Sequence, residues 1–361
     1  MINFKTIFEN FNCEGKFVKA EKYGEGHINE TYAVYVENAK VKRYILQKIN
    51  HNLFKNVPAL MNNIRLVTEF NEKEVKKRGG NVSRECLSLI YTKDGNSFYT
   101  DNENYFRMYV FIEDATSHQI AQPELFYESA VAFGGFAKML EKFDANLLYD
   151  VLPNFHNTRV RYNNFLNSLK KDESKRAKEV SAEIDFVIKR EKYVDLIVNM
   201  LSSGKIPTRV THNDTKLNNV MIDNATGKAL AVIDFDTIMK GSILYDFGDS
   251  IRFGCNSSFE DEKDLSKVNF RLDLFEAYTK GYLSAIGTSI TKTEKENLPL
   301  ASLMMTLECG MRFLSDHLDG DKYFRIHREN HNLDRARTQF KLVSDMEKVM
   351  DKMASIITNY K

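Results

Sequence analysis

The chain has 361 residues, enough for two lobes around two cores, and its apolar share of 43% suits a globular protein. A formal net charge of +1 gives no positive excess for binding nucleic acid or an anionic membrane surface. Four scattered cysteines, Cys13, Cys86, Cys255 and Cys309, show neither zinc spacing nor a disulfide framework and are expected as reduced thiols in the cytoplasm.

The opening MINFKTIFENFNCEGKF is too charged for a secretory signal, and no apolar run is long enough to span a bilayer. Residues 16–23, 31–36 and 41–49 read as strands, with turns at Tyr23-Gly24-Glu25-Gly26 and Glu37-Asn38-Ala39-Lys40. A helix over 57–78 sets Leu60, Ile64, Val67 and Val75 on one face and stops at Gly79-Gly80-Asn81. Two more strands are expected near 86–91 and 105–112. From Gln122 the pattern turns helical: Pro123 suits the first helical position, and Leu125, Phe133, Phe136, Leu140 and Phe143 recur at helical spacing. Gly134-Gly135 costs about 1 kcal/mol each against Ala inside that helix, and close packing is one use for them. Charged helices near 158–203 follow, and helices near 265–287, 293–316 and 334–359 close the chain. The fold class is therefore α+β, with a β-rich domain over 1–115 and a mostly helical one over 116–361.

Between those helices lies the segment THNDTKLNNVMIDNATGKALAVID, residues 211–234. Val220-Met221-Ile222 and Ala229 to Ile233 are apolar runs around the turn formers Asp223-Asn224-Ala225-Thr226-Gly227, which predicts a hairpin. Asn219 would precede one strand and Asp234 leave the other, at the same end of the ribbon. Asp214 stands five residues before Asn219. Phosphoryl transfer needs a carboxylate to accept a hydroxyl proton, and hard oxygen ligands to hold magnesium on nucleotide phosphates. Asp214 is the candidate base, and Asn219 and Asp234 the candidate metal ligands. Asp236 is either a further metal group or an exposed acid; Asp246 and Asp249 are expected to hold backbone and orient the loop.

The segment resembles the catalytic and metal loops of the aminoglycoside phosphotransferase and choline kinase superfamily, which is related to the protein kinases. Those kinases have Arg where this chain has Asn213, and Gly where it has Asp236, which favours the small-molecule branch. The resemblance implies a bilobal kinase-like fold, a nucleotide-binding first lobe, and ATP and Mg2+ as cofactors. Gly24, Gly26 and Thr31 would then line a phosphate turn. Lys48 is the candidate phosphate contact on the third strand, although alternation lets only one of Gln47 and Lys48 face the nucleotide. Glu69, Glu72 and Glu74 are its candidate partners, and Phe111-Ile112 is the expected hinge against adenine.

Further blocks resemble the N-acetylhexosamine 1-kinase family: Gly24-x-Gly26-His27-Ile28-Asn29-x-Thr31-Tyr32, Leu46-Gln47-Lys48-Ile49-Asn50, Phe155-His156-x-Thr158, Asp246-Phe247-Gly248-Asp249-x-Ile251-Arg252, and Glu308-x-Gly310-x-Arg312-Phe313-Leu314-x-Asp316, continuing to Tyr323-Phe324. They run from about residue 23 to 325. The resemblance implies transfer of the γ-phosphate of ATP to the anomeric hydroxyl of N-acetylglucosamine or N-acetylgalactosamine. Asp214, Arg312, Tyr323 and His27 are implied as sugar contacts. Arg312 could instead pair with Asp316 or Glu308 along one helix face. The expected partners are the sugar and ATP, with no nucleic acid or membrane, and the expected state is a monomer. Rival readings are a choline, homoserine or aminoglycoside kinase, or a nucleotide-binding protein without catalysis. A sulfatase would need a C/S-x-P-x-R motif, which the chain lacks.

Overall fold

Asparagine opens four of the helices, its side-chain oxygen accepting a backbone N–H that the first turn leaves unpaired: Asn3, Asn56, Asn81 and Asn157. The computed structural model describes residues 2–24 and 28–360. Helix α1 (Phe4–Glu9) precedes strands β1 (Lys16–Lys22), β2 (Glu30–Glu37) and β3 (Arg43–Ile49). Helices α2 (Val57–Lys77) and α3 (Val82–Glu85) lead to β4 (Leu89–Ile90), β5 (Tyr99–Thr100), β6 (Tyr105–Val110) and β7 (Ala115–Thr116). Then come α4 (Pro123–Met139), α5 (Thr158–Lys171), α6 (Ser181–Ile188), α7 (Leu196–Ser202) and β8 (Arg209–Thr211). The hairpin β9 (Val220–Asp223) and β10 (Ala229–Val232) and the short β11 (Met239–Gly241) are followed by α8 (Ile243–Gly254), α9 (Leu272–Ile286), α10 (Lys292–Glu296), α11 (Leu298–Leu318) and α12 (His331–Asn359). The α+β class and the predicted hairpin are both present. No helix among the described residues is long and apolar enough to cross a membrane.

The chain forms two compact units. The first holds Met1–Thr116, Lys142–Pro153 and Val220–Lys240, and the second holds the rest. Two of these segments lie beyond the boundary expected near residue 115. The hairpin joins the first unit because β9 pairs with β7, with Ala115 opposite Asp223 and Thr116 opposite Ile222.

In the first unit the antiparallel order is β1-β2-β3-β6-β4, with β5 also on β6. One face of this sheet carries Val34, Tyr44, Leu46, Phe106 and Met108, closed by Ile7, Phe8 and Phe11 around α1. The other face carries Thr31, Gln47 and Arg107, which lie opposite one another across β2, β3 and β6. A smaller cluster of Ile112, Met221 and Ala231 fills the space under the hairpin.

In the second unit α11 is buried along nearly its whole length, and it packs on α5, α8 and α12. The helix expected near 293–316 is two: α10 ends at Asn297, and Pro299 sits in the first turn of α11, where its missing N–H costs nothing. Helix α4 lies against α9, and a Cβ on Gly134 would stand 2.6 Å from the Tyr282 carbonyl oxygen, whereas one on Gly135 would meet open space. Gly134→Ala is expected to destabilise by about 1–3 kcal/mol through overpacking, while Gly135→Ala gains about 1 kcal/mol of helix propensity. Opposite shifts of the melting temperature would establish the close approach; equal shifts would refute it.

Candidate active site

Strand β8 delivers the segment that holds Asp214, and two aspartates of α8 pin it. Asp246 Oδ2 accepts the His212 N–H at 2.9 Å and Oδ1 the Asn213 N–H at 2.7 Å. Asp249, three residues further along the helix, accepts the Thr215 N–H at 3.0 Å and the Arg252 Nε–H at 2.9 Å. The Ser250 hydroxyl donates to the Thr215 carbonyl at 2.7 Å. Between these anchors Asn213 turns through φ +64, a left-handed conformation that Asn tolerates well. Both aspartates thus have the orienting role read from the sequence. Burial pushes the Asp246 carboxyl up to about 6 even though two backbone N–H groups and His212 favour its ionised form.

The pinned loop brings Asp214 and Asn219 together. Asn219 Nδ2 donates to the Asp214 carbonyl at 2.8 Å and to its Oδ2 at 3.1 Å. That turns the amide oxygen, the atom able to ligate a cation, away from Asp214. Lys216 Nζ lies 2.8 Å from Asp214 Oδ1. Desolvation pushes the Asp214 carboxyl up, but Lys216, then His212 and Arg252, hold it below its ordinary value. Sequence reasoning overlooked Lys216, although its place two residues after the base was a sufficient signal.

In the same unit, His156 links the loop to α11: its Nε2 lies 3.3 Å from the Asn213 carbonyl and its Nδ1 2.9 Å from Glu308. The Thr158 hydroxyl donates to the other Glu308 oxygen at 2.6 Å. Asp316 accepts the N–H groups of Lys322, Tyr323 and Phe324 and an amide N–H of Asn332. Both acids on which Arg312 could have drawn are thus committed elsewhere. The Arg312 guanidinium instead lies 5.3 Å from the Phe155 ring centre and 5.5 Å from that of Phe324. Arg161 is close enough that burial, and then the Arg312 charge, lower its pKa. Tyr323 leaves 61% of its surface exposed.

In the first unit, β10 ends just before Asp234, held at φ +65. Asp236 is buried rather than exposed; it pairs with Arg107 and accepts the Asn29 amide. Lys48 departs from the sequence reading. It shares the α1 face with Leu46 and Phe106 and pairs with Glu30 at 3.1 Å, so Gln47 occupies the face toward Asp236. None of its three candidate partners reaches it: Glu69 pairs with Arg65, Glu72 with Lys76 and Glu74 with Lys77. Thr31 Oγ1 accepts from Gln47 Nε2 at 3.0 Å. Phe111 lies under Arg43 at 3.7 Å and edge-on to Tyr23, and Ile112 is in the hairpin core. Their side chains are thus committed to contacts within the protein. Gly24 takes φ +72, a turn conformation suited to glycine. Gly26 and His27 lie outside the described residues.

Among the described residues no three His, Cys, Asp or Glu side chains gather as a metal cage. Magnesium takes few protein ligands and completes its shell from phosphates and water, so single carboxylate and amide oxygens are chemically suited to it.

The pattern of the phosphotransferase enzyme family matches residues 19–285. The chain belongs to this family. Solved structures of phosphotransferases share its fold across nearly the whole length. An aminoglycoside phosphotransferase from Alicyclobacillus acidocaldarius is 11% identical, with a TM-score of 0.65 over 99% of this chain and 97% of its own. A choline kinase from Cryptosporidium parvum is 13% identical, with a TM-score of 0.59 over 95% and 92%. An amicoumacin kinase in complex with AMP-PNP and Ca2+ is 12% identical, with a TM-score of 0.55 over 95% and 90%.

Proposed function

We propose that this phosphotransferase moves the γ-phosphoryl group of ATP to the anomeric hydroxyl of an N-acetylhexosamine, N-acetylglucosamine or N-acetylgalactosamine. Membership of the family supports phosphoryl transfer. The observation that carries the acceptor assignment is Arg312: its guanidinium lies near two aromatic rings, next to Arg161, with Glu308 and Asp316 hydrogen-bonded to other donors. A polycationic aminoglycoside or a quaternary ammonium would meet two like charges there. Sugar hydroxyls and an N-acetyl carbonyl accept hydrogen bonds from a guanidinium, and Tyr323 offers an exposed ring to a sugar face.

In this reading Asn219 and Asp234 would hold magnesium, which would supply positive charge against the nucleotide phosphates. Asp214 aligns the anomeric oxygen and accepts its proton as the O–P bond forms and the bond to ADP breaks. Lys216 holds Asp214 ionised and supplies positive charge beside the transferred group. Phe111 and Ile112 would meet adenine through their backbone.

The test is ATP-dependent phosphorylation with magnesium across both N-acetyl sugars, glucose, galactose, choline, homoserine and kanamycin, with phosphorus NMR of the product. An anomeric phosphate from the N-acetyl sugars is the expected result; turnover only on choline, homoserine or kanamycin would overturn the acceptor assignment. Arg312→Ala should raise the sugar KM by about 10-fold or more, the worth of a charged hydrogen bond, and leave the ATP KM unchanged. Equal changes in both constants would remove Arg312 from the sugar site.

A further inference from the structure

Arg107 occupies the middle of β6 with 1% of its side chain exposed. A guanidinium so deeply buried is costly unless its protons are taken up, and its partners lead to two nucleotide-related segments. Its Nε donates to Gln47 Oε1 at 2.9 Å, and Gln47 donates in turn to Thr31 Oγ1 at 3.0 Å. The guanidinium also pairs with Asp236, whose second oxygen accepts the Asn29 amide. Asn29 Oδ1 accepts the Asn50 N–H at 2.9 Å, which fixes that amide from its other end. Asn29 and Thr31 form the outgoing foot of the Gly-rich turn. Asp236 lies two residues beyond Asp234, the candidate metal ligand in a left-handed conformation. Burial opposes the charge on Arg107, but Asp236 outweighs it, with Asp234 adding to the effect, so the group stays firmly protonated. A neutral Gln47 fills the face where the sequence reading looked for a lysine.

We propose that Arg107 is a positioning residue: through Asp236 and Asn29 it locks the start of β2 and the segment that holds Asp234 into one register, so that nucleotide and divalent cation bind cooperatively. The proposal rests on the reading of Asp234 as a metal ligand. One buried network has its ends at the two segments, so fixing Asn29 and Thr31 beside the nucleotide and fixing Asp234 around a cation favour the same arrangement. The fork matters as well as the charge. Only a guanidinium reaches Gln47 and Asp236 at once.

The test is calorimetric titration of ADP with and without magnesium, on the parent, Asn29→Ala, Arg107→Lys and Asp234→Asn. Magnesium should tighten ADP binding to the parent. The tightening should fall by about fivefold or more, the lower end of typical coupling, in both Asn29→Ala and Arg107→Lys, with the acceptor KM unchanged. Asn29→Ala leaves the ion pair intact, and it decides the matter if Arg107→Lys does not fold. Parental tightening in a folded Asn29→Ala protein overturns the coupling. Loss of tightening in Asp234→Asn alone would do the same while leaving the kinase reading in place. A parent that shows no effect of magnesium on ADP would overturn both.

Discussion

Asp214→Asn is expected to cut phosphoryl transfer by about 10²–10⁴-fold, the usual worth of a positioned general base, while nucleotide binding is largely retained. The substitution keeps the shape of the side chain and removes its ability to take a proton. It also removes the charge that Lys216 faces at 2.8 Å and the acceptor that Asn219 Nδ2 meets at 3.1 Å. The backbone carbonyl of residue 214 still accepts from Asn219 at 2.8 Å, so Asn219 keeps its principal tether. Nucleotide affinity should therefore survive, and a KM for ATP close to the parent's with a collapsed kcat is the expected pattern. Near-normal turnover in a folded Asp214→Asn protein would sink the catalytic assignment.

The second large effect concerns Asp246, which never meets a substrate in this reading. Its two oxygens hold two successive N–H groups just before Asp214. An amide can accept only one of them and presents its own N–H to the other. Asp246→Asn should therefore shift the base and lower kcat by about 10²-fold, the scale of a 1 Å misplacement. The pH behaviour adds a second signature. Burial raises the carboxyl from an ordinary 3.8 to about 6, so the folded state holds the proton more tightly than the unfolded one. Stability from this group is greatest below the ordinary value and declines as pH rises through about 6, by about 3 kcal/mol in total. Activity runs the other way, because only the ionised group accepts both N–H bonds. The parent should lose kcat below about pH 6 although this carboxyl's own contribution to stability grows there, and Asp246→Asn should show no such loss of kcat. A kcat profile flat from pH 5 to 7 would refute the role.

Much of this was legible in the sequence. Alternation and turn formers mark β1 to β3 and the β9–β10 hairpin, and helical spacing marks α2 and α4. Strands β4 and β5 cover two residues each, too few for a period to register, and α1 exists to close one face of the sheet. Asp246 and Asp249 were readable because their motif carries their role. Lys48 was not. A strand's alternation divides its residues into two sets without saying which set faces which neighbour. The choice was made by α1 on one face and by Arg107 on the other, contacts made across long stretches of sequence. For Arg312 the sequence offered an ion pair on its own helix or a ligand; the distant donors that engage Glu308 and Asp316 are invisible to helical spacing.

The three-segment make-up of the first unit also bears on how the protein is made. A ribosome releases β6 early, and α1 can close one face of the sheet at once. Arg107 on the other face must wait for Asp236, and β7 for β9, until residues 220–240 have emerged. Through that interval the nascent sheet carries a guanidinium without its counter-ion in its middle, and β7 lacks the strand it pairs with. The first domain synthesised is thus among the last to be finished, and a chain stalled or truncated before the hairpin should be a ready substrate for chaperones and proteases.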